Sequence, residues 1–341
     1  MSYLHMETLI NFKQTKRTWI VAEIGVNHEG SEKMAADLIR KAAVVGADAV
    51  KFQTYIPEHY ISKEQPDRFE RVSRFCLSYD AFRRLAALAR SLDIIFFSTP
   101  LGLSDIDFLN EIQPIFKISS GDLTFHELIA HASRTGKPLI ISTGLGTEDE
   151  IQAAVDVVLS VRPNAQDDGT LMLMHCVSAY PTNINDANIR NLLWLSRRFG
   201  LPVGYSDHTL GTKACELAVA VGATAVEKHF TYRKEDQSFH DHRLSADPTD
   251  FKTLVGNIRQ AELYLGSEMR ARCEAEIAME SHLRRSIATL IDIPAGTPIR
   301  REWITMVRPA WGLDPKDTHK VLGRKLNKDL KAGTIIRKND L

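Results

Sequence analysis

The chain has 341 residues, of which 44% are hydrophobic and 25% are charged, an ordinary composition for a soluble globular protein. Its 43 lysine and arginine residues balance 43 aspartate and glutamate residues, which argues against nucleic acid or an anionic membrane as a partner. This length exceeds one average domain and predicts a large domain followed by a small one.

The four cysteines, Cys76, Cys176, Cys215 and Cys273, show no paired spacing. This pattern argues against a disulfide framework or a zinc knuckle and favours a reducing cytoplasm. The N-terminus lacks the basic-then-apolar pattern of a signal peptide, and no apolar run approaches the ~20 residues of a membrane span. We therefore expect a cytoplasmic protein with no membrane partner.

From residue 19 the chain alternates between short apolar runs and amphipathic stretches with helical spacing. Continuous apolar runs are typical of parallel strands buried on both faces. The eight predicted strands are Trp19–Gly25, Asp48–Thr54, Ile94–Thr99, Ile115–Ser119, Pro138–Thr143, Thr170–Cys176, Pro202–Tyr205 and Thr224–His229. The clearest predicted helices are Ser31–Val45, Tyr79–Leu92, Glu148–Leu159, Gly211–Val221 and Phe251–Leu265, with Ser31 and Thr147 as N-caps.

Eight strand–helix units predict an α/β fold, a (β/α)8 TIM barrel over residues 19–265, after an N-terminal extension of residues 1–18. An open doubly wound sheet is the alternative. Such a sheet normally has fewer strands, and no Gly-x-Gly-x-x-Gly motif follows the first strand.

A sequence repeat marks the C-terminal region. Residues 292–304 match residues 329–341, with Asp, Ala, Gly, Thr, Ile and Arg at equivalent places. Two Ala-Gly-Thr turns predict a small, mostly β domain with internal pseudo-symmetry over residues 283–341. Residues 266–282 are charged and lack strand signals, which predicts a helical or irregular linker.

Two histidines, His208 and His229, follow consecutive predicted strands with one helix between them. The carboxyl ends of barrel strands meet at one face, which carries the active site in this architecture. Two imidazoles that converge there can hold a divalent metal. The alternative is that each histidine satisfies a local hydrogen bond.

Other strands also carry polar residues at this end. Lys51 and Lys117 lie inside strand patterns, where lysine is rare, and with nearby hydroxyls they predict an anion site. A Schiff-base role or a solvent-facing position is the alternative. Glu23, a carboxylate in an apolar strand, predicts a general acid or base or a partner for a substrate hydroxyl, or else a structural ion pair to a barrel lysine. The last three strands end in His175, Ser178, Tyr180, Ser206, Asp207, His208, Glu227, Lys228 and His229.

These motifs together resemble the sialic acid synthase family. The resemblance starts at residue 19 and covers nearly all of the chain that follows, and its C-terminal part resembles that family's antifreeze-like (SAF) domain. The motifs are Ala-Glu-Ile-Gly-Val-Asn-His-Glu-Gly (22–30), Lys51-Phe-Gln, Ser98-Thr-Pro, Lys117-Ile-Ser-Ser-Gly, Ser142-Thr-Gly, His175-Cys with Tyr180-Pro-Thr, Gly204-Tyr-Ser-Asp-His-Thr, Glu227-Lys-His-Phe-Thr and Arg308-Pro.

The resemblance implies condensation of phosphoenolpyruvate with an N-acetylated aldose and water, which gives a nonulosonic acid and phosphate. It implies Mn²⁺ or Mg²⁺ as cofactor, held by His208 and His229, and it implies Glu23 and Asp122 as catalytic residues. Positions that match phosphoenolpyruvate-binding residues are Lys51, Thr99, Lys117, Ser120, Ser142, Ser178, Tyr180 and Ser206. Positions that match the sugar side are Gln53, Asp241 and Arg308.

Arg308 further implies a domain-swapped homodimer in which the tail of one subunit covers the barrel of the other. Asp122 and Ser178 stand where N-acetylneuraminate synthases have glutamate and asparagine, and the tail reads Arg-Pro-Ala-Trp-Gly-Leu from residue 308. The acceptor therefore stays open between N-acetylmannosamine and the precursors of legionaminate or pseudaminate. The competing functions are another metal-dependent barrel aldolase or isomerase, and a non-catalytic protein whose tail binds glycans or ice.

Overall fold

The computed structural model describes residues 10–235, 239 and 241–341. The chain divides into two compact units, one ending at Gly266 and the other spanning Ser267–Leu341. Of the predicted N-terminal extension, residues 1–9 lie outside the described residues. No helix in the described part of the chain is both long and apolar enough to cross a membrane.

The described residues of the first unit form a sheet of eight parallel strands in the order β3-β2-β1-β8-β7-β6-β5-β4. The edge strands β3 and β4 lie against each other, which closes the sheet into the predicted barrel. The fold prediction is therefore confirmed. The strands are β1 Trp19–Gly25, β2 Ala49–Thr54, β3 Ile95–Pro100, β4 Phe116–Ile118, β5 Leu139–Ser142, β6 Leu171–Cys176, β7 Val203–Asp207 and β8 Ala225–His229.

Helices follow the strands and cover the outside of the barrel. Two predicted N-caps are confirmed: the Ser31 hydroxyl accepts a hydrogen bond from the backbone N–H of Met34, and Thr147 forms a capping box with Glu150. The helices are α1 Glu32–Val44, α2 Pro57–Tyr60, α3 Pro66–Phe75, α4 Tyr79–Ser91, α5 Leu103–Asn110, α6 His126–Arg134, α7 Glu148–Val161, α8 Asn191–Phe199, α9 Lys213–Ala220, α10 Asp241–Leu244 and α11 Pro248–Leu265.

The two-residue period of the strands separates two apolar layers. Outward residues such as Phe52 pack against the helices, whereas inward residues such as Ile95 and Met172 fill the lower barrel. Phe12, from the predicted extension, is buried in this lower layer, and its N–H donates a hydrogen bond to the Gly169 carbonyl at 2.8 Å. Burial of its ring contributes about 2 kcal/mol. The lower barrel is therefore apolar and closed, which leaves the carboxyl ends for polar chemistry.

The second unit contains α12 Glu274–Leu283, β9 Ser286–Thr289, β10 Ile304–Val307 and α13 Thr318–Val321, with β9 and β10 antiparallel. Helix α12 occupies most of the predicted linker. The sequence repeat has a structural counterpart: Asp292 accepts a hydrogen bond from the N–H of Ala332 at 2.8 Å, and Asp329 accepts one from the N–H of Ala295 at 2.7 Å. Each repeat therefore caps the turn of the other.

Candidate active site

A cavity of about 460 Å³ opens at the carboxyl ends of the barrel strands. Asp122 does not line it, because its carboxylate accepts a hydrogen bond from the Ser119 hydroxyl in the 3₁₀ turn that follows β4. Arg308 belongs to the second unit. The other predicted site residues line this cavity together: Glu23, Lys51, Gln53, Thr99, Lys117, Ser120, Ser142, Ser178, Tyr180, Ser206, His208, His229 and Asp241.

Two lysines and two glutamates form a buried cluster at the inner end of this cavity. Lys51 Nζ lies 2.9 Å from Glu23 Oε2 and 3.5 Å from Glu227 Oε1, and Lys117 Nζ lies 3.7 Å from Glu227 Oε2. The Ser206 hydroxyl donates a hydrogen bond to Glu227 Oε1 at 3.1 Å. Both lysines are buried, so the alternative of a solvent-facing position is wrong, whereas the predicted ion pair of Glu23 is present.

The two carboxyl groups of this cluster differ in pKa. Burial raises the pKa of Glu23 to about 7, although Lys51 opposes the shift. Burial also disfavours the charge of Glu227, but attraction to Lys117 and Lys51 outweighs it and lowers the pKa of Glu227. Burial lowers the pKa of Lys117. The cluster thus pairs a carboxyl group that can hold a proton near neutral pH with one that stays charged, an arrangement suited to proton transfer.

Hydroxyl groups from three strand ends converge beside the lysines. Ser142 Oγ and Ser178 Oγ are buried and have no hydrogen-bond partner among the described residues, and Ser120 Oγ accepts a hydrogen bond from the Gly144 N–H at 3.0 Å. A Cβ atom on Gly144 would lie 2.5 Å from Ser178 Oγ and 2.7 Å from Ser120 Oγ. Buried donors without partners are costly, so this cluster fits a bound anion.

The two predicted metal ligands lie close together in the cavity lining, with ring centroids 5.5 Å apart and ring planes inclined by 56°. His208 Nδ1 donates a hydrogen bond to the Val177 carbonyl at 2.7 Å, which leaves the lone pair of Nε2 for a ligand. His229 Nδ1 is buried without a partner among the described residues. Burial lowers the pKa of both histidines and keeps them neutral, the form that binds metals.

These two imidazoles fit a divalent ion as a partial ligand set. The described residues contain no group of three or more His, Cys, Asp or Glu side chains that could hold a metal. Substrate and water would therefore supply the remaining ligands, which is the open coordination expected of a catalytic rather than a structural site.

One residue of the cluster, Glu227, is among the strand-end residues of the sequence but receives no predicted role there. It has the same parity as His229 on β8, so the two-residue period of a strand places both in the barrel. The opposite parity explains why Lys228 points away and forms a buried ion pair with Asp207 at 2.9 Å. His175 likewise points away, and its Nε2 donates a hydrogen bond to the Ala187 carbonyl.

Helices α2 and α3, which were not predicted, line the mouth of the cavity. They contribute Tyr60, Arg68, Arg71, Val72 and Phe75. A cavity with lysines and hydroxyls at one end and arginines and aromatic rings at the other can hold two substrates, one of them anionic.

The NeuB family model matches residues 38–270, and the SAF domain model matches residues 284–341. The chain is 37% identical to the N,N'-diacetyllegionaminic acid synthase of Legionella pneumophila, over 93% of each chain. It is 33% identical to a pseudaminic acid synthase of Campylobacter jejuni, over 97% of this chain and 98% of that one.

A solved structure gives the same result. The N-acetylneuraminic acid synthetase of Leptospira borgpetersenii, crystallised with citrate, superposes with a TM-score of 0.72 at 32% identity, over 77% of this chain and 90% of that chain. The resemblance drawn from the strand-end motifs is confirmed. The chain belongs to the NeuB family and carries a C-terminal SAF domain.

Proposed function

We propose that this enzyme is a nonulosonic acid synthase, which condenses phosphoenolpyruvate with an N-acetylated amino sugar and water and releases phosphate. One observation carries the proposal: two buried lysines and two unpartnered serine hydroxyls lie in the same cavity as two neutral histidines. Anion-binding groups and ligands for a Lewis acid are the two requirements of this reaction.

The anionic substrate lies at the inner end in this proposal. Lys51 and Lys117 supply positive charge, and Ser120, Ser142 and Ser178 supply hydroxyl donors to the carboxylate and phosphate oxygens. Thr99, Tyr180 and Ser206 complete the lining on this side, as the family resemblance implies. Glu227 keeps both lysine ammonium groups at fixed positions, since it faces both of them.

The sugar acceptor lies between this end and the mouth. His208 and His229 would hold Mn²⁺ or Mg²⁺, which polarises the aldehyde of the open-chain sugar when bound. Gln53 and Asp241 line the same region and are placed to bind sugar hydroxyls. The Tyr180 ring lies against the His208 ring, with ring centroids 4.2 Å apart. It therefore limits the space available to a ligand beside the histidines.

In the proposed reaction, carbon 3 of phosphoenolpyruvate attacks the aldehyde carbon, water adds at carbon 2, and phosphate leaves by cleavage of its C–O bond. Glu23 is the group placed to move the proton of the attacking water, because one of its carboxyl oxygens faces Lys51 and its pKa is raised to about 7. Asp122, half-buried behind Ser119, acts only indirectly on this arrangement.

The competing aldolase or isomerase would use the histidines but would not require the buried lysines and hydroxyls. A non-catalytic barrel would not require the polar cluster at all, because unpartnered buried groups lower stability. Both alternatives are therefore weaker. The identity of the sugar stays open among N-acetylmannosamine and the 2,4-diacetamido-6-deoxy sugars that lead to legionaminate and pseudaminate.

The proposal is tested by phosphate release from phosphoenolpyruvate with Mn²⁺ and each of these sugars. We expect release with one of them, abolished by EDTA and by His229→Ala. His131→Ala, at a half-buried histidine on α6 that pairs with Asp107 and does not line the cavity, leaves the rate unchanged. Calorimetric titration with Mn²⁺ gives a second readout, in which His208→Ala and His229→Ala weaken binding. Absence of release with every sugar, from folded protein, would contradict the proposal.

A further inference from the structure

One face of helix α3 turns two guanidinium groups toward the cavity. Arg68, Arg71, Val72 and Phe75 all line it, and their spacing of three, four and seven residues places them on the same side of an α-helix. This face lies at the mouth, whereas the lysines and histidines lie at the inner end. The mouth therefore carries two guanidinium groups of its own, with the Asp241 carboxylate in the same lining.

Neither arginine forms an ion pair with a carboxylate in the described part of the chain. Arg68 contacts the side-chain oxygen of Gln65 at 3.4 Å and lies beside the Tyr60 hydroxyl. By contrast, the nearby Arg84 binds Glu32 through two hydrogen bonds. Unpaired guanidinium groups that face a cavity fit the oxygens of a phosphate or carboxylate.

The position of these arginines indicates which part of a ligand they meet. In the proposed function, the aldehyde carbon of the open-chain sugar lies near His208 and His229, next to phosphoenolpyruvate. The end of the sugar farthest from its aldehyde then points toward the mouth. That end is the terminal carbon of the chain, which carries a hydroxyl or its phosphate ester.

We propose that Arg68 and Arg71 form a second anion-binding subsite, which binds a phosphate ester on the terminal carbon of the sugar acceptor. This inference rests on the proposed function, because that function sets the orientation of the sugar. The Tyr60 hydroxyl supplies a further donor at the same place. A 6-deoxy sugar has no terminal hydroxyl to esterify and leaves the subsite empty, so the subsite favours an amino sugar 6-phosphate over such acceptors.

The test compares N-acetylmannosamine with its 6-phosphate in the wild type and in Arg68→Ala/Arg71→Ala. Arg74→Ala is the matched control, since Arg74 lies on the same helix and is exposed like Arg68 and Arg71 but does not line the cavity. We expect wild-type kcat/KM to be about tenfold higher for the phosphorylated sugar, and we expect this preference to disappear in the double variant. The KM for phosphoenolpyruvate should stay within about twofold, and added salt should reduce the wild-type preference.

An equal loss for both sugars, or a raised KM for phosphoenolpyruvate, would overturn the inference, since the arginines would then serve another role. Calorimetric titration with the sugar 6-phosphate needs no turnover and separates the two proposals. Phosphate release without any preference between the sugars would leave the synthase function standing and sink the subsite. Arginine-dependent binding of the sugar 6-phosphate without phosphate release would contradict the synthase function and leave only a binding site for the sugar phosphate.

Discussion

Lys51 Nζ lies 2.9 Å from Glu23 Oε2, and both side chains are buried in the barrel. The lysine also faces Glu227 at 3.5 Å, so it would keep a counter-charge if Glu23 were neutral. Glu23 can therefore exchange a proton without leaving a buried ammonium group unpaired. This relationship distinguishes a carboxyl group suited to catalysis from a purely structural ion pair.

The substitution Glu23→Gln keeps the shape of the side chain and removes its ability to take up or release a proton. We expect kcat to fall by about 10²- to 10⁴-fold, with little change in the KM for phosphoenolpyruvate, because the lysines and hydroxyls stay in place. Steady-state phosphate release measures both constants. Glu32→Gln on the exposed face of α1 is the control. A kcat within threefold of wild type would leave Glu23 as a structural partner of Lys51 only.

Gly144 is required by the hydroxyl cluster around it. Its Cα lies so close to Ser120, Cys176 and Ser178 that an added methyl group would come within 2.8 Å of all three. We expect Gly144→Ala to displace these hydroxyls and raise the KM for phosphoenolpyruvate about tenfold or more.

Gly256→Ala is the control for this substitution, because Gly256 lies in α11 with nothing within 4 Å of an added Cβ. Alanine there should stabilise the protein by up to about 1 kcal/mol and leave kinetics unchanged. Equal kinetic effects of the two substitutions would contradict the assignment of the hydroxyl cluster to phosphoenolpyruvate.

His28 predicts a pH dependence of stability. It is buried against Phe52, and burial lowers its pKa from 6.5 to about 4. The unfolded chain therefore binds a proton between these values that the folded chain does not, so the free energy of unfolding falls as pH falls through this window. The loss attributable to His28 is about 3 kcal/mol.

Urea denaturation of wild type and His28→Gln at several pH values between about 7 and 4 measures this contribution. The variant is expected to be less stable at neutral pH but to lose less stability on acidification, because glutamine does not titrate. Equal slopes of unfolding free energy against pH for the two proteins would show that His28 does not contribute.

The barrel and much of its cavity could be predicted because both follow from the period of the strands. Lys51, Lys117 and His229 each lie on the inward-facing side of their strands, where every second residue points into the barrel. The same rule separates Glu227, which faces inward, from Lys228, which faces outward. Position at a strand end alone does not separate Glu227 from Lys228, Asp207 and His175, whose side chains point away from the cavity.

Other site features could not be read from local sequence. Helix α3 is short and polar, and its arginines reach the cavity only because the chain between β2 and β3 folds over the barrel mouth. The family resemblance predicts a catalytic role for Asp122, and the turn after β4 brings its carboxylate to the Ser119 hydroxyl. Both outcomes depend on tertiary packing rather than on periodicity.

The family resemblance predicts that Arg308 acts on the barrel of a partner subunit in a homodimer. Arg308→Ala and His229→Ala should each lose most activity alone. Randomly mixed subunits should regain about one quarter of wild-type activity, because half of the dimers are hybrids and each hybrid has one intact site. Sedimentation velocity checks the dimer, and a mixture that stays inactive would contradict action in trans.

In the proposed reaction, water adds to carbon 2 and phosphate leaves by cleavage of its C–O bond, after carbon 3 has attacked the sugar. Reaction in H₂¹⁸O, followed by mass spectrometry of both products, tests this most directly. We predict unlabelled phosphate, released one for one with a nine-carbon 2-keto-3-deoxy acid. Labelled phosphate, or phosphate without that acid, would contradict the claim and assign the cavity to simple ester hydrolysis.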